Sequence, residues 1–431
     1  MGGRGRVRSA IAWLVIVAML VPACASRSVP PMGAGGQPFR PEADERALWA
    51  KAEKEEETLL KRVKAYDDPM LEEYLGRIGD RLTPETVRQS GGVGFRFAVL
   101  RDPTLNAFAM PNGRIYVHTG LLARVENEAQ LSAVLGHEMT HTINRHALSF
   151  QRDIQNKQIL YTVLGIAASI GIAVAAGSRA QSGDYIGAAV LSQTANAVLG
   201  LGLQLATIAA INGYSRDLER DADAGGMEKM VAAGYDVREA PRVFEILQKE
   251  AKDGGSLETF FFGNHPKLQE RIDNANELLR TTHAGVLKTQ TLTRDTEDFQ
   301  LRMRTVVRDN AYEELRAGRF AFAQAQLDRV LRITPKDPIA HLYYGDLYRL
   351  QAQRARGVAD KDTLAWKALG EYELAARLDP KLPDPYRQLG FLYYQQKDNT
   401  RAKEAFEKYL ALKPDAPDAK RVKEYVVELD R

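Results

Sequence analysis

The spacing of apolar residues changes several times along this chain, and each change marks an element. Glu42–Lys64 and Pro69–Leu82 carry apolar side chains at helical spacing, which predicts two amphipathic helices. In Val93–Leu100 the period drops to two. Phe95, Phe97 and Val99 point one way and Arg96 and Ala98 the other, as in a half-buried strand. Ala107–Ala109 and Arg114–Val117 flank the turn signal Met110-Pro111-Asn112-Gly113, which predicts a hairpin. Asn127–Arg145 returns to a helical pattern. Ile159–Ala176 is then almost wholly apolar, and Ile186–Ile211 is apolar with Ser192, Gln193, Thr194, Asn196 and Gln204 interspersed. The first run is about 18 residues long and rich in Gly and Ala, at the lower limit for a bilayer span. An integral hairpin would return the chain to the side it left, so topology leaves that reading open. The polar interruptions favour helices that pack on or gate a site, with exposed patches able to touch a membrane or an unfolded client.

The last third follows another rule. Gly318, Phe320, Ala323, Leu327, Val330, Ile333 and Pro335 have the spacing of the second helix of a tetratricopeptide repeat. Leu389, Gly390, Tyr393, Ala402, Phe406, Tyr409, Leu412 and Pro414 match nearly a whole repeat, and Gly345, Ala368, Tyr372, Ala375 and Pro380 mark one between them. Pro380 to Pro414 is 34 residues, the repeat length, whereas Pro335 to Pro380 is 45. The middle unit therefore carries an insertion of about 11 residues, placed within Ala352–Ala365. Gly345 and Gly390 allow close helix packing, and Asp418–Leu429 is suited to cap the array. Such a solenoid offers a concave groove to a partner.

Composition adds an address. Arg4, Arg6 and Arg8 precede the short apolar run Ile11–Val21, too short to span a bilayer comfortably. Val21-Pro22-Ala23-Cys24 follows and resembles a lipobox. Cys24 is the only cysteine, so a disulfide within one chain is impossible, and lipidation would remove a free thiol from an oxidising compartment. Ala25 after it, by resemblance to bacterial lipoprotein sorting, favours the outer membrane. Residues 25–41 are rich in Ser, Pro and Gly and read as a flexible tether. The net charge of +3 resides in the leader, leaving 56 basic against 56 acidic residues. Nothing here supports a nucleic-acid groove.

Residues 137–141 read His-Glu-Met-Thr-His. Histidines four apart lie one turn apart on one helix face and can grip one Zn²⁺. Glu138 is then placed to take a proton from a water activated by the metal. Such a site needs a further protein ligand. Glu219 and Asp223 are also four apart, so one helix can present both carboxylates: Glu219 to the metal, Asp223 to the second ring N–H of a ligand histidine. The metzincin pattern fails, because Asn144 and Ala147 stand where it needs Gly and His.

These residues, with Asn144-Arg145-His146, resemble the gluzincin family that includes HtpX, Oma-type and CAAX-prenyl metallopeptidases. Asn106-Ala107-Phe108-Ala109 resembles the family's hairpin, and His265-Pro266 with Arg271-Ile272 resembles its His-Pro…Arg motif. The likeness covers roughly residues 43–282. With the repeats added, the whole chain resembles the repeat-bearing envelope proteases of Gram-negative bacteria. The resemblance implies that the edge strand at Asn106, Ala107, Phe108 and Ala109 binds substrate backbone, the alternative being a structural hairpin. It also implies that His265 is a switchable fourth zinc ligand. Arg271 has two readings: it stabilises an oxyanion, or it pairs with an acid such as Asp223.

The expected fold is mainly α: a gluzincin-type metallopeptidase domain with a small β-hairpin or sheet, followed by an α-solenoid of tetratricopeptide repeats. The expected organisation is a lipoprotein signal peptide (1–23), lipidated Cys24 and tether (24–42), metallopeptidase domain (43–282), linker (283–304) and repeats (305–431). The expected function is that of an outer-membrane-anchored periplasmic endopeptidase with one Zn²⁺ per chain, acting on misfolded or stalled envelope proteins. By resemblance, the repeats would dock the outer-membrane assembly machinery. The other reading is a chaperone or assembly adaptor with a mostly latent peptidase.

Overall fold

The computed structural model describes residues 29–155, 214–252 and 268–430. Cys24, the apolar stretch 159–213 and His265 lie outside the described residues. Helix α1 (Ala43–Arg62) starts with a capping box between Glu42 and Glu45. In α2 (Pro69–Leu82) Asp68 caps the first turn by accepting from the Leu71 N–H, and Pro69 sits where its missing N–H costs nothing. Leu71, Tyr74, Leu75, Ile78 and Leu82 form its buried face. The strand expected over Val93–Leu100 is shorter, β1 (Arg96–Leu100). The hairpin forms as β2 (Ala107–Ala109) and β3 (Arg114–His118), antiparallel with Ala107 opposite Val117. β1 joins parallel to β3, giving the order β1-β3-β2. β2 is thus an edge among the described strands.

Helix α3 (Thr119–Arg124) leads into α4 (Glu128–Ile143), and α5 (Arg216–Ala232), α6 (Glu239–Lys252) and α7 (Leu268–Arg280) complete this part. Among the described residues no helix is long and apolar enough to cross a membrane.

The repeats follow as helix pairs: α8 (Glu297–Arg316) with α9 (Phe320–Ile333), α10 (Pro338–Arg354) with α11 (Val358–Leu378), and α12 (Pro383–Gln395) with α13 (Asn399–Leu412). Helix α14 (Ala419–Leu429) ends the array. At Gly390 a Cβ would come within 2.4 Å of the Phe406 ring, so α12 and α13 cross at a distance only glycine allows. The extra residues of the middle unit form no loop. They lengthen α10 and α11 to 17 and 21 residues, against 13 and 14 in α12 and α13.

The segment 283–304, expected as a linker, packs against the first domain. Arg294 pairs with Glu239, the Ala129 N–H donates to the Arg294 carbonyl at 2.9 Å, and Thr296 caps α8. The core runs without a break from Leu71 through Val117, Leu135 and Met230 to Phe299, Val306 and Leu327. Polar ties cross the same junction: Thr119 Oγ1 donates to Asn310 Oδ1 at 3.1 Å, and Arg329 donates to the Val125 carbonyl at 2.8 Å. The first repeat is therefore part of the wall that supports α3 and α4. The distal repeats have a core of their own around Leu369, Tyr372, Leu389 and Tyr393.

Candidate metal centre

Helix α4 begins where Asn127 accepts from the Gln130 N–H at 2.9 Å. It is buried on every side along most of its length. A helix enclosed in this way must satisfy its polar side chains within the protein, and His137, Glu138 and His141 are all buried. Helix α5 crosses it very closely. A Cβ on Gly226 would lie 2.9 Å from the His137 backbone nitrogen and 3.2 Å from the Gly136 carbonyl carbon. Glycine at both positions lets the backbones approach, and this crossing brings the acidic first turns of α5 to the histidines.

Three side chains converge there. The Nε2 atoms of His137 and His141 are 3.1 Å apart, and the Glu219 carboxylate lies 3.4 Å from the first and 3.6 Å from the second. Ligands about 2.0–2.1 Å from a tetrahedral ion stand about 3.3 Å from one another. The set of two imidazole nitrogens and one carboxylate oxygen, all buried, could hold a metal ion, and its spacing fits zinc.

The surroundings fit a cation as well. Glu138, Glu219 and Asp223 are buried within reach of one buried guanidinium, Arg271. Burial, and then repulsion from Glu219, push the Glu138 carboxyl up to about 8 against the pull of His137. Burial alone would depress His137, but hydrogen bonds to Asp223 and Glu219 overcome it and raise the imidazole to about 9. The raised His137 reports the negative charge of Asp223 and Glu219 around it, a potential that suits a divalent cation.

Asp223 Oδ1 accepts from His137 Nδ1 at 2.9 Å, which leaves Nε2 for the cluster. Arg271 donates to both Asp223 oxygens, at 2.6 and 2.9 Å, and stacks 4.1 Å over the Phe244 ring. Of the two readings of Arg271, the structure brings it to Asp223. Glu138 lies near the Ala109 backbone amide, which draws its proton affinity down, and its Oε1 has no hydrogen-bond partner among the described residues. Met110 N–H donates to the Arg114 carbonyl and His118 N–H to the Asn106 carbonyl, at 2.7 and 2.9 Å. By alternation the Ala107 and Ala109 peptide groups turn to the other edge of β2, beside Glu138. Asn106 is buried next to them, and Phe108 stacks on Tyr116 at 5.2 Å.

Three participants were not assigned a role from sequence. Tyr214 lies parallel to the His141 ring at 4.3 Å, and its N–H donates to Glu219 at 3.2 Å. His146 and Asp221 continue outward from His141. Only the short spacing Asn144-Arg145-His146 after the second histidine hinted at them.

Two helices supplying His-Glu-x-x-His and Glu-x-x-x-Asp to one buried cluster define a gluzincin-type metallopeptidase domain. Residues 69–279 match peptidase family M48, and residues 365–426 match a tetratricopeptide repeat. The chain carries an M48 domain with such repeats behind it. It is 29% identical over 215 residues to a putative β-barrel assembly-enhancing protease of Vibrio cholerae, covering 50% of this chain and 40% of that one. It is 26% identical over 238 residues to the β-barrel assembly-enhancing protease of Escherichia coli K12, covering 54% and 43%. It is 29% identical over 180 residues to the mitochondrial metalloendopeptidase OMA1 of Arabidopsis thaliana, covering 42% and 30%. The match thus spans less than half the length of these three relatives.

Proposed function

We propose that this protein is a zinc endopeptidase of the bacterial envelope that removes misfolded or stalled outer-membrane proteins. The observation that carries this reading is the convergence of His137, His141 and Glu219, with Glu138 between that cluster and the edge of β2. His137, His141 and Glu219 would hold the metal. When bound there, zinc acidifies a water and polarises the scissile carbonyl. Glu138 takes the water's proton and delivers it to the leaving amine.

Strand addition along Ala107–Ala109 would hold an extended segment by its backbone, with little side-chain selection, as removal of unfolded clients requires. Asp223 orients His137, and Arg271 holds Asp223. His265 keeps the regulatory role that the family resemblance gives it. The name of the bacterial relatives supports a client drawn from β-barrel assembly. The repeats would dock the assembly machinery, and Arg4–Cys24 would deliver and anchor the chain at the periplasmic face of the outer membrane. The metallopeptidase unit would comprise 43–282 and the repeat unit 305–431.

The test is hydrolysis of casein by the purified protein with and without a zinc chelator. Chelator-sensitive cleavage that zinc restores supports the reading, and cleavage indifferent to chelator contradicts it.

A further inference from the structure

We propose that His146 and Asp221 form a hydrogen-bonded relay that fixes the tautomer and orientation of His141, making them positioning residues of the metal centre. The proposal rests on the metal-site reading above. The residues that carry it lie in the turn that ends α4 and on α5.

Regular helix stops at Ile143, and Arg145 adopts φ of +56°. This left-handed conformation is disfavoured for a residue with a side chain and persists only where its surroundings impose it. Here they do. The buried Arg145 guanidinium donates to both oxygens of buried Glu45 on α1, at 2.9 and 2.6 Å, and to the Pro30 carbonyl at 3.2 Å. The reversal at Arg145 swings His146 back against the last turn of α4. Its ring meets His141 at 79°, with centroids 4.9 Å apart, and the two Nδ1 atoms are 2.9 Å apart. On the far side, His146 Nε2 lies 2.9 Å from Asp221 Oδ2, which also accepts from the Asn144 amide at 2.5 Å.

With Nε2 of both His137 and His141 given to the metal, one proton assignment serves the outer contacts. His141 turns Nε2 toward His137 and Glu219, so Nδ1 carries its hydrogen. His146 accepts that hydrogen at Nδ1 and therefore carries its own at Nε2, where Asp221 accepts it. The two candidate ligands are then served alike. Asp223 backs His137 directly, and Asp221 backs His141 through His146. One helix, α5, supplies the third ligand and both supporting carboxylates. Carboxylate support of a ligand imidazole raises its basicity and holds its plane. A histidine serving only to fill the core would not need both nitrogens engaged in this order.

The test is zinc affinity of the purified full-length protein, read by competition with a fluorescent zinc chelator. His146→Ala should weaken binding about 10- to 100-fold. His146→Asn places an amide oxygen near the Nδ1 position and should recover affinity to within about 3-fold of wild type. Asp221→Ala removes a half-exposed side chain, so folding is spared, and should weaken binding about 3- to 10-fold in the wild-type background but not in His146→Ala. A filler role would move thermal stability and leave zinc affinity alone. His146→Ala within about 2-fold of wild type, an Asn variant no better than Ala, or an Asp221→Ala loss that persists without His146 would each overturn the relay. If His146→Ala fails to fold, unchanged zinc affinity in Asp221→Ala overturns it. A wild-type protein that binds no zinc instead refutes the metal-site reading itself.

Discussion

Asp223 joins two functions that a pair of substitutions can separate. Its carboxylate neutralises Arg271, which is 2% exposed, and accepts the Nδ1 hydrogen of His137. Asp223→Ala deprives a buried guanidinium of this carboxylate, a change that costs about 3–5 kcal/mol. For a domain of this size that lowers the unfolding midpoint by roughly 6–20 °C. The same change removes the acceptor that orients His137, which should weaken zinc about 10- to 100-fold. Adding Arg271→Met removes the buried charge as well. Arg271 stacks on Phe244 and lines one cavity with Met230, Val243 and Leu247, so a methionine of similar length is accommodated, and exchanging a whole buried pair for apolar groups is often neutral or better. The double variant should therefore regain most of the stability and none of the zinc affinity. Urea unfolding of chelator-treated protein gives the first quantity, and zinc competition gives the second. If affinity returns together with stability, the loss came from general loosening and the orienting role of Asp223 is wrong.

Gly226→Val should force α4 and α5 apart at the 2.9 Å approach to His137. It should cost about 1–3 kcal/mol of stability and at least about 10-fold in zinc affinity, measurable by the same two assays. In the repeats, His341 donates to Glu371 at 2.7 Å and to the Pro335 carbonyl at 3.1 Å. The Glu371 hydrogen bond is the main cause of its raised proton affinity, against a burial that would lower it. A raised folded-state value contributes stability that is fully present below the ordinary value of 6.5 and fades as pH rises through the folded one. Wild type should thus lose more of its thermal midpoint between about pH 6 and pH 9 than His341→Gln does, and equal losses in a melting series would remove the assignment. Cys24→Ala should abolish lipid labelling of the expressed protein, and labelling that survives would place the anchor elsewhere.

Much of the site was legible because its logic is local. Spacings of four put His137 with His141 and Glu219 with Asp223 on single helix faces, and the prolines at 335, 380 and 414 measured the repeats. What was not legible depends on contacts between distant segments. The meeting of α4 and α5 turns on Gly136 and Gly226, whose meaning appears only when each is seen to face the other helix. The place of His146 follows from the reversed backbone at Arg145, which is held by Glu45, 100 positions upstream. Arg271 had two reasonable partners until α7 was seen to set it against Asp223. Thr293-Arg294-Asp295-Thr296 falls in the segment 283–304 expected as a linker, yet its polar groups serve as a cap and as ties to Glu239 and Glu128. The parallel pairing of β1 with β3 likewise leaves no mark in either strand's alternation.

The proposed role of Glu138 is chemistry at a metal held by His137, His141 and Glu219. It is tested most directly by measuring bound zinc and casein cleavage on the same preparation of Glu138→Gln. The exchange is nearly isosteric and leaves the three candidate ligands untouched. Zinc at one per chain, as in wild type, is expected, with cleavage slower by about 10²–10⁴-fold. Cleavage at the wild-type rate with zinc retained would contradict it.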